Sequence, residues 1–308
     1  MERMITRVPI WIVAALFMSH CHESASSQTW GQKPYETKRF KEYWYSGKAE
    51  VSSYKLRQSR YGEERTGKAV LIFVTEDFSK DKHVKLDDPS KHESDRVSVL
   101  KLNFTKQFVT GIYPYAMMES VFTPVARHDY PHSLKMTMSV QEWCGHVFTQ
   151  MNLRENTFQV RSFSYFEQEG DVESDLRKVF AEDEIWNLIR LQPDALPVGE
   201  FGVIPALFFA RLMHTELKVL KASAIKTDRG NEFSYVITYP ETHRSIEIRF
   251  QKNFPFKILG WDEQFKEKDG SVHHTTGTLE KTLHTDYWKK NENKFQYLRD
   301  SLGLPRSY

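Results

Sequence analysis

The sequence predicts a mainly β protein of the α+β class, built as a large curved antiparallel sheet or an open barrel-like shell, with a helical insert and a C-terminal helix. Two observations favour strands: an unbroken apolar run at 70–74 (VLIFV) and strict apolar–polar alternation at 133–141. The third is the order of the segments, which runs strands, two helices, strands, helix. Because strands and helices do not alternate regularly, a doubly wound α/β fold is disfavoured.

The stretch 63–78 (EERTGKAVLIFVTEDF) is the predicted centre of the sheet. Its apolar run is bounded by Gly67 on one side and by Glu76 and Asp77 on the other. A run without alternation is typical of a strand that is covered on both faces. We therefore expect the other strands to be arranged around this one.

Alternating or β-branched segments predict further strands on both sides of the helical part. A one-residue slip in the apolar phase between Val99 and Leu100 predicts a β-bulge in the second of them. The predicted strands are 48–60, 96–108, 111–125, 133–141, 145–154, 158–166, 217–227, 233–239, 246–250, 256–265 and 271–283.

Apolar residues at helical spacing predict three helices. The first covers 171–190 with Asp171 as its N-cap, and the second covers 204–213, which together make a helical insert at about 171–213. The third is an amphipathic surface helix at 286–302. The whole β-rich domain is expected to cover 38–308.

The N-terminus is typical of an export signal. Residues 1–20 contain Arg3 and Arg7 before an apolar stretch at 8–18, which is too short to span a bilayer. Cys21 follows directly, as in bacterial lipoproteins, where this cysteine is acylated, although His20 replaces the usual small residue. We expect a signal peptide at 1–20, lipid attachment at Cys21 and a polar tether at 21–37. The alternative is an ordinary cleaved signal with an incidental cysteine.

Composition excludes several classes of function. Basic and acidic residues nearly balance and are interspersed, which argues against nucleic-acid binding. Two cysteines, Cys21 and Cys144, exclude a disulfide framework and a multi-cysteine zinc site. No phosphate-binding loop, dinucleotide fingerprint or G-x-S-x-G motif is present, so no cofactor is expected.

The strongest candidate for chemistry is the segment containing Glu142, Cys144 and His146, which could supply a thiolate with a neighbouring base. The structural alternative is a bulge, with Cys144 as a small, poorly accessible residue. If Glu142 is buried, Arg65 or Arg161 is its expected partner. The adjacent histidines at 273–274 are candidate metal ligands, but neighbouring residues of a strand face opposite sides, so no metal site is expected. The charged turn at 61–65 is a weaker candidate for a binding loop, with a solvated hairpin as the alternative.

Five stretches resemble a family of uncharacterised bacterial envelope lipoproteins. They are SGKAEVSSYKLRQSRYGEERTGKAVLIFVTEDF at 46–78, TGIYPYAMMESVFTPV at 110–125, SVQEWCGHVF at 139–148, RLMH at 211–214 and FPFKILGWDE at 254–263. Members often carry the label "septum formation inhibitor", which belongs to an unrelated nucleotide pyrophosphatase family whose Ser-x-Arg-Arg loop is missing here. The resemblance implies a location in the bacterial envelope, facing the periplasm, and a β-rich shell. It implies no catalytic residues.

Three functional hypotheses remain open. The first is a membrane-anchored protein that binds an apolar or extended ligand inside the shell, the second is a hydrolase or thiol enzyme using Glu142, Cys144 and His146, and the third is a structural or assembly subunit of the envelope. A hollow apolar interior favours the first, a Cys–His hydrogen bond in a cleft favours the second, and a filled core with an exposed apolar patch favours the third.

Overall fold

The computed structural model describes residues 37–267 and 269–306, which form the predicted β-rich architecture. In this part of the chain there are sixteen strands. They are Ala49–Arg60 (β1), Glu63–Ser79 (β2), Val84–Lys85 (β3), Arg96–Thr110 (β4), Tyr113–Pro124 (β5), Lys135–Glu142 (β6), Gly145–Arg154 (β7), Thr157–Ser164 (β8), Val172–Arg177 (β9), Phe180–Ala181 (β10), Gly199–Ile204 (β11), Leu220–Asp228 (β12), Glu232–Tyr239 (β13), Arg244–Gln251 (β14), Ile258–Lys266 (β15) and Val272–Thr285 (β16).

The same residues form four α-helices and several short 3-10 turns. The helices are Lys38–Trp44 (α1), Glu182–Leu191 (α2), Leu207–Leu212 (α3) and Tyr297–Ser301 (α4). The 3-10 turns are Pro89–Lys91, Pro193–Ala195, Pro240–Thr242, Tyr287–Lys289 and Asn293–Phe295.

All the strands belong to one sheet, as the sequence predicts. Its order is β10-β11-β12-β13-β14-β15-β16-β1-β2-β4-β5-β6-β7-β8-β9, with the short β3 pairing only with β2. Every pair is antiparallel except β10 with β11. Because β1 pairs with β16, the first and last strands lie side by side near the middle of the sheet.

Within the residues that the structure describes, helix α2 occupies the inside of the shell. All ten residues of α2 are buried, and the helix packs against β4 and β5. The indole of Trp186 on α2 lies edge-to-face against the rings of Phe104 and Trp261, with centroids 5.3 and 5.6 Å away. The helical insert therefore supplies part of the core of the shell.

The central strand β2 is covered on both faces, as its unbroken apolar run predicts. Leu71 and Phe73 point inward and are fully buried. Val70 and Ile72 point outward and pack in a small cluster with Leu302, the residue that follows α4. The C-terminal segment is thus the cover of the outer face.

The predicted bulge in β4 is absent. Its register with β2 and with β5 runs without a slip. Val97 and Val99 point outward instead, into a cluster with Phe78 and Leu134, while Leu100 begins the inward-facing series. The apolar residues of β4 therefore change phase because its first part is covered on the outer face and the rest of the strand on the inner face.

The predicted helix at 171–190 is only half correct. Val172–Arg177 is β9, which pairs with β8, and the helix begins at Glu182 rather than after Asp171. The second helix is shorter than expected, because Gly199–Ile204 pairs with β12 as a strand. The C-terminal helix is confirmed, but it is confined to α4 and preceded by 3-10 turns.

Hairpin turns alternate between the two ends of an antiparallel sheet. The turns β1–β2, β4–β5, β6–β7 and the loop β8–β9 therefore lie at one end, together with α3 and the turn β15–β16. We call this the cleft end. The turns β7–β8 and β12–β13 lie at the opposite end.

Candidate binding cleft and buried charge network

A cleft with a volume of about 260 Å³ opens at the cleft end. This volume is near the lower limit for small-molecule sites. Its apolar wall consists of Phe208, Phe209 and Leu212 of α3 together with Phe265 of β15. Its polar lining includes Gln58, Ser59, Arg60, Lys106, Glu263 and His273.

Lys106 lies on the inner face of β4, in phase with Phe104 and Phe108. Only 4% of the residue is exposed, and its Nζ lies 5.4 Å from the ring centre of Phe104 and 5.1 Å from that of Phe208. Its ammonium makes no hydrogen bond or ion pair with any residue in 37–267 or 269–306. Burial lowers the pKa of Lys106, opposed by the charges of Glu263 and Glu119.

A second buried cation, Arg60, lies at the rim of the cleft. Its guanidinium stacks on the ring of Tyr61 at 4.1 Å and donates to the Tyr115 hydroxyl and to the carbonyl oxygen of Leu212. It also donates to the Tyr61 hydroxyl at 3.1 Å and lies 3.4 Å from a ring nitrogen of His214. Within the described part of the chain, Arg60 has no carboxylate partner closer than 4.0 Å.

Beneath the cleft, Arg244 joins two carboxylates. It donates to both oxygens of Glu182, the first residue of α2, and its Nε donates to Glu263 at 2.6 Å. The Tyr239 hydroxyl also donates to Glu182 at 2.5 Å. Burial opposes ionisation of Glu182, but the charge and hydrogen bonds of Arg244 lower its pKa. Glu263 is thus the link between the buried network and the cleft.

The next residue of α2, Asp183, faces another buried carboxyl group, that of Glu119. Burial and the charge of Glu182 raise the pKa of Asp183 to about 7. Burial and the neighbouring Asp183 raise the pKa of Glu119 well above its usual range. Asp183 Oδ2 also accepts from the backbone N–H of Leu207, at the first turn of α3. A proton held by this pair therefore supports the junction between the two core helices.

A separate ion pair lies at the other end of α2. Both terminal nitrogens of Arg190 donate to the two oxygens of Glu50 at 2.7 Å, and both side chains are completely buried. The Tyr43 hydroxyl donates to the same carboxylate at 2.5 Å. Burial opposes ionisation of Glu50, but the charge and hydrogen bonds of Arg190 lower its pKa.

The residues expected to carry thiol chemistry lie at the tip of the β6–β7 hairpin, outside the cleft. Glu142 pairs with Gly145, so Trp143 and Cys144 form a two-residue turn. Cys144 is exposed, and its backbone N–H donates to Glu142 Oε2 at 2.7 Å. The expectation that Cys144 is poorly accessible is therefore wrong. A hydrogen bond to Glu142 raises the pKa of the thiol, which disfavours the thiolate.

The other expected members of that site are also dispersed. His146 is exposed on β7, and its side chain makes no hydrogen bond or ion pair with any described residue. Neither predicted cation reaches Glu142, since Arg65 pairs with Glu63 and Arg161 with Glu173. The structure does not bring these side chains together as a thiol site.

The two adjacent histidines face opposite sides of β16, as expected. His273 lines the cleft, with Nδ1 3.1 Å from Ser59 Oγ and Nε2 3.2 Å from Glu267. His274 pairs with Asp262 instead. Across residues 37–267 and 269–306, no group of three or more potential ligands could hold a metal ion. The weaker candidate turn at 61–65 contributes Tyr61 to the rim of the cleft.

A second cleft of about 360 Å³ lies on the other side of His214, between β7–β9 and α3. Its buried cation, Arg211, is paired with Glu169 at 3.1 Å and stacks on Phe166. The first cleft differs because it contains two buried cations without direct carboxylate partners. We therefore regard the first cleft as the candidate site.

Comparisons with protein-family models, with curated proteins and with solved structures found no match for the chain. Among the residues that the structure describes, no helix is long and apolar enough to cross a membrane. The predicted signal peptide, Cys21 and the tether lie outside these residues, apart from position 37. Export, acylation and the lipoprotein resemblance thus stay predictions.

Proposed function

We propose that the protein is an exported, lipid-anchored protein of the bacterial envelope that binds a small amphipathic carboxylate in the cleft beside Lys106. The observation that carries this proposal is the buried ammonium of Lys106, which lines the cleft without a hydrogen bond or ion pair to any described residue. The described residues offer no acceptor to this ammonium, so its donors face only the cleft, where few waters fit around a side chain that is 4% exposed. A ligand that supplies an acceptor satisfies these donors.

The surroundings of Lys106 define the ligand in two parts. An ammonium has three donors and no acceptor, and a carboxylate is its strongest common acceptor. The walls formed by Phe208, Phe209 and Phe265 suit a short apolar body. The acidic groups of the cleft have partners of their own, because Glu263 is held by Arg244 and Glu267 by His273. This is a smaller and more polar site than the apolar hollow expected from the sequence.

Octanoate and 1-octanol form a matched pair of probes for this site. By calorimetric titration, octanoate is expected to bind the purified protein more tightly than 1-octanol does. Lys106→Met keeps the length of the side chain but removes its donors, so it is expected to weaken octanoate at least about tenfold, equivalent to about 1.4 kcal/mol. Octanol binding is expected to change little.

Lys55→Met is the control, because Lys55 is exposed on the outer side of β1. It is expected to leave both probes unaffected. If neither probe binds the wild-type protein, the cleft is not a site for such ligands. If both probes bind equally and Lys106→Met changes neither, the cleft binds apolar molecules but Lys106 does not hold the head group.

The membrane anchor has its own prediction. Cells that express the protein and are fed a radioactive fatty acid should incorporate label into the wild-type chain, because Cys21 follows a short apolar signal. Cys21→Ser is expected to remove the label, while Cys144→Ser is expected to retain it. Equal labelling of wild type and Cys21→Ser would contradict the lipoprotein assignment.

A second candidate function is ester hydrolysis, favoured by the chain of contacts from Ser59 through His273 to Glu267 at the rim of the cleft. A serine, an imidazole and a carboxylate in this order are the parts of a nucleophilic site. If the protein is a hydrolase, a fluorophosphonate reagent should modify Ser59, and Ser59→Ala should abolish modification while Ser271→Ala does not. Absence of modification in the wild type would leave ligand binding as the function.

A further inference from the structure

We propose that the cleft end of the shell rests on the surface of a lipid bilayer, through an arc of aromatic and apolar side chains on its hairpin tips. This inference rests on the envelope location proposed above, but not on the identity of the ligand. It assigns a partner to a surface that the cleft and the buried network leave unexplained.

Each of four tips at the cleft end carries a large exposed side chain. Tyr61 lies in the β1–β2 turn and is 57% exposed, and Ile112 lies in the β4–β5 turn and is 82% exposed. Trp143 in the β6–β7 turn and Tyr165 after β8 are 68% and 73% exposed. Single exposed apolar residues are common on soluble proteins, but four on neighbouring tips form a pattern.

The aromatic side chains are in contact along the rim. The Tyr61 hydroxyl lies 2.9 Å from that of Tyr115, whose ring centre is 5.9 Å from that of Tyr113. Tyr113 in turn lies 6.4 Å from Trp143. The arc continues past Gly145, where the ring of Tyr165 occupies the space that a Cβ atom would fill.

The opposite end of the sheet has different tips. The β7–β8 turn consists of Glu155 and Asn156, and the β12–β13 turn is formed by residues 229–231, with the sequence RGN. Trp288 and Tyr297 are also exposed, but they lie on the C-terminal segment rather than on hairpin tips. The four neighbouring apolar tips therefore form an arc along one side of the cleft end, whose β13–β14 turn at 240–243 and β15–β16 turn, with Glu267 and Asp269, are polar.

Tyrosine and tryptophan favour the membrane–water interface, because each combines an apolar ring with a polar group that stays hydrated. Separate protruding tips suit insertion between lipid headgroups better than they suit a flat protein interface. Tyr61 belongs to both structures, since it is part of the arc and lines the cleft. A bilayer against this end would therefore face the mouth of the cleft, from which an amphipathic ligand could enter directly.

The tether is long enough for this orientation. The first described helix, α1, lies at the opposite end, where the Trp44 carbonyl oxygen accepts from Thr75 Oγ1 on β2. The chain from Cys21 to position 36 has sixteen residues, which span at most about 55 Å when fully extended. The twelve residues of β1 cover about 40 Å. An acylated Cys21 can thus lie in the same membrane as the tips.

The exposed thiol of Cys144 allows a direct test, because it lies in one of the proposed contact tips. The full-length protein, purified from membranes, is labelled at Cys144 with a nitrobenzoxadiazole dye. It is then reconstituted into vesicles of phosphatidylethanolamine and phosphatidylglycerol. The emission of the dye is expected to shift to the blue, and lipids carrying a nitroxide near the headgroup are expected to quench it.

The matched control moves the thiol to the opposite end by combining Cys144→Ser with Asn231→Cys, since Asn231 is exposed in the β12–β13 turn. In the presence of the same vesicles, the emission of the dye on this variant is expected to be that of a dye exposed to water. Equal emission from the two labelled proteins would overturn the proposal. A blue shift that depends on protein concentration and persists without vesicles would assign the arc to a second copy of the chain instead.

Flotation of the vesicles separates this result from the failure of the anchor. If the protein floats with the vesicles but the emission of the dye at Cys144 is that of a dye in water, the protein is anchored while its hairpin tips do not contact the bilayer. This result would contradict the proposal. Ile112→Ser combined with Tyr165→Ser gives an independent reading, because it removes two tips without touching Cys144. This variant is expected to float normally but to lose the blue shift, and an unchanged shift would argue against contact through these side chains.

Discussion

Replacement of Glu50 by leucine is expected to lower the free energy of unfolding by about 3–5 kcal/mol. Glu50 and Arg190 are both fully buried and joined by two hydrogen bonds of 2.7 Å, so removing the carboxylate leaves a charged guanidinium inside the shell. The rings of Trp44 and Phe73, 5.1 and 4.6 Å from this guanidinium, replace neither the charge nor the acceptors. The loss is a large fraction of the stability of a typical domain, about 5–15 kcal/mol.

Urea denaturation followed by circular dichroism measures this loss. The double variant with Glu50→Leu and Arg190→Met is expected to regain much of the stability, because it removes the unpaired charge and keeps apolar volume. Glu173→Leu is the control, since Glu173 pairs with Arg161 on the surface, where both side chains are more than half exposed. A loss below about 1 kcal/mol for Glu50→Leu would show that the pair is not buried as the structure has it.

The strands and their assembly into a large antiparallel sheet follow from local sequence signals, whereas their order in the sheet does not. At β6, inward residues such as Met136 and Val140 alternate with polar ones, and this period of two is sufficient to define both a strand and its buried face. The unbroken run in β2 likewise indicates two covered faces. It does not indicate which segments cover them, because α2 and Leu302 come from distant parts of the chain.

The helical insert shows where local patterns fail. Val172 and Leu176 have helical spacing, but hydrogen bonding to the edge of β8 makes this segment a strand. Within α2 the three consecutive acids Glu182, Asp183 and Glu184 are all buried. A polar first turn usually indicates an exposed helix end, and only partners from distant segments make its burial possible.

The candidate site was equally hard to find from sequence. Glu142, Cys144 and His146 are close along the chain, yet in the folded hairpin Cys144 contacts only Glu142, and His146 makes no side-chain hydrogen bond within the described residues. Lys106 does leave a signal, because it occupies the inward phase of an otherwise apolar strand. Its place in a cleft depends on Phe208, which is about a hundred positions away in the sequence and is brought there by α3.

Asp183→Asn is expected to make the protein more stable than the wild type as the pH rises from 5 to 8. In the wild type, burial and Glu182 raise the pKa of Asp183 from its ordinary value of 3.8 to about 7. Between pH 3.8 and about 7, Asp183 keeps its proton in the folded chain but has lost it in the unfolded chain. The free energy of unfolding is therefore highest at low pH and declines as the pH rises towards the pKa of Asp183 in the folded protein. Asparagine cannot ionise, and its side-chain oxygen can still accept from the N–H of Leu207.

The expected relative gain is about 2–3 kcal/mol between pH 5 and pH 8, since each pKa unit corresponds to about 1.4 kcal/mol. Urea denaturation of both proteins across this range measures it. The difference between variant and wild type removes the contribution of buried acids that do not interact with Asp183, such as Glu50, whose pKa is lowered in both proteins. Asp87→Asn is the control, because Asp87 is exposed, and it should show no such trend. Parallel curves for Asp183→Asn and the wild type would mean that Asp183 is already ionised in the folded protein at pH 5, and that Glu119 holds the proton of the pair.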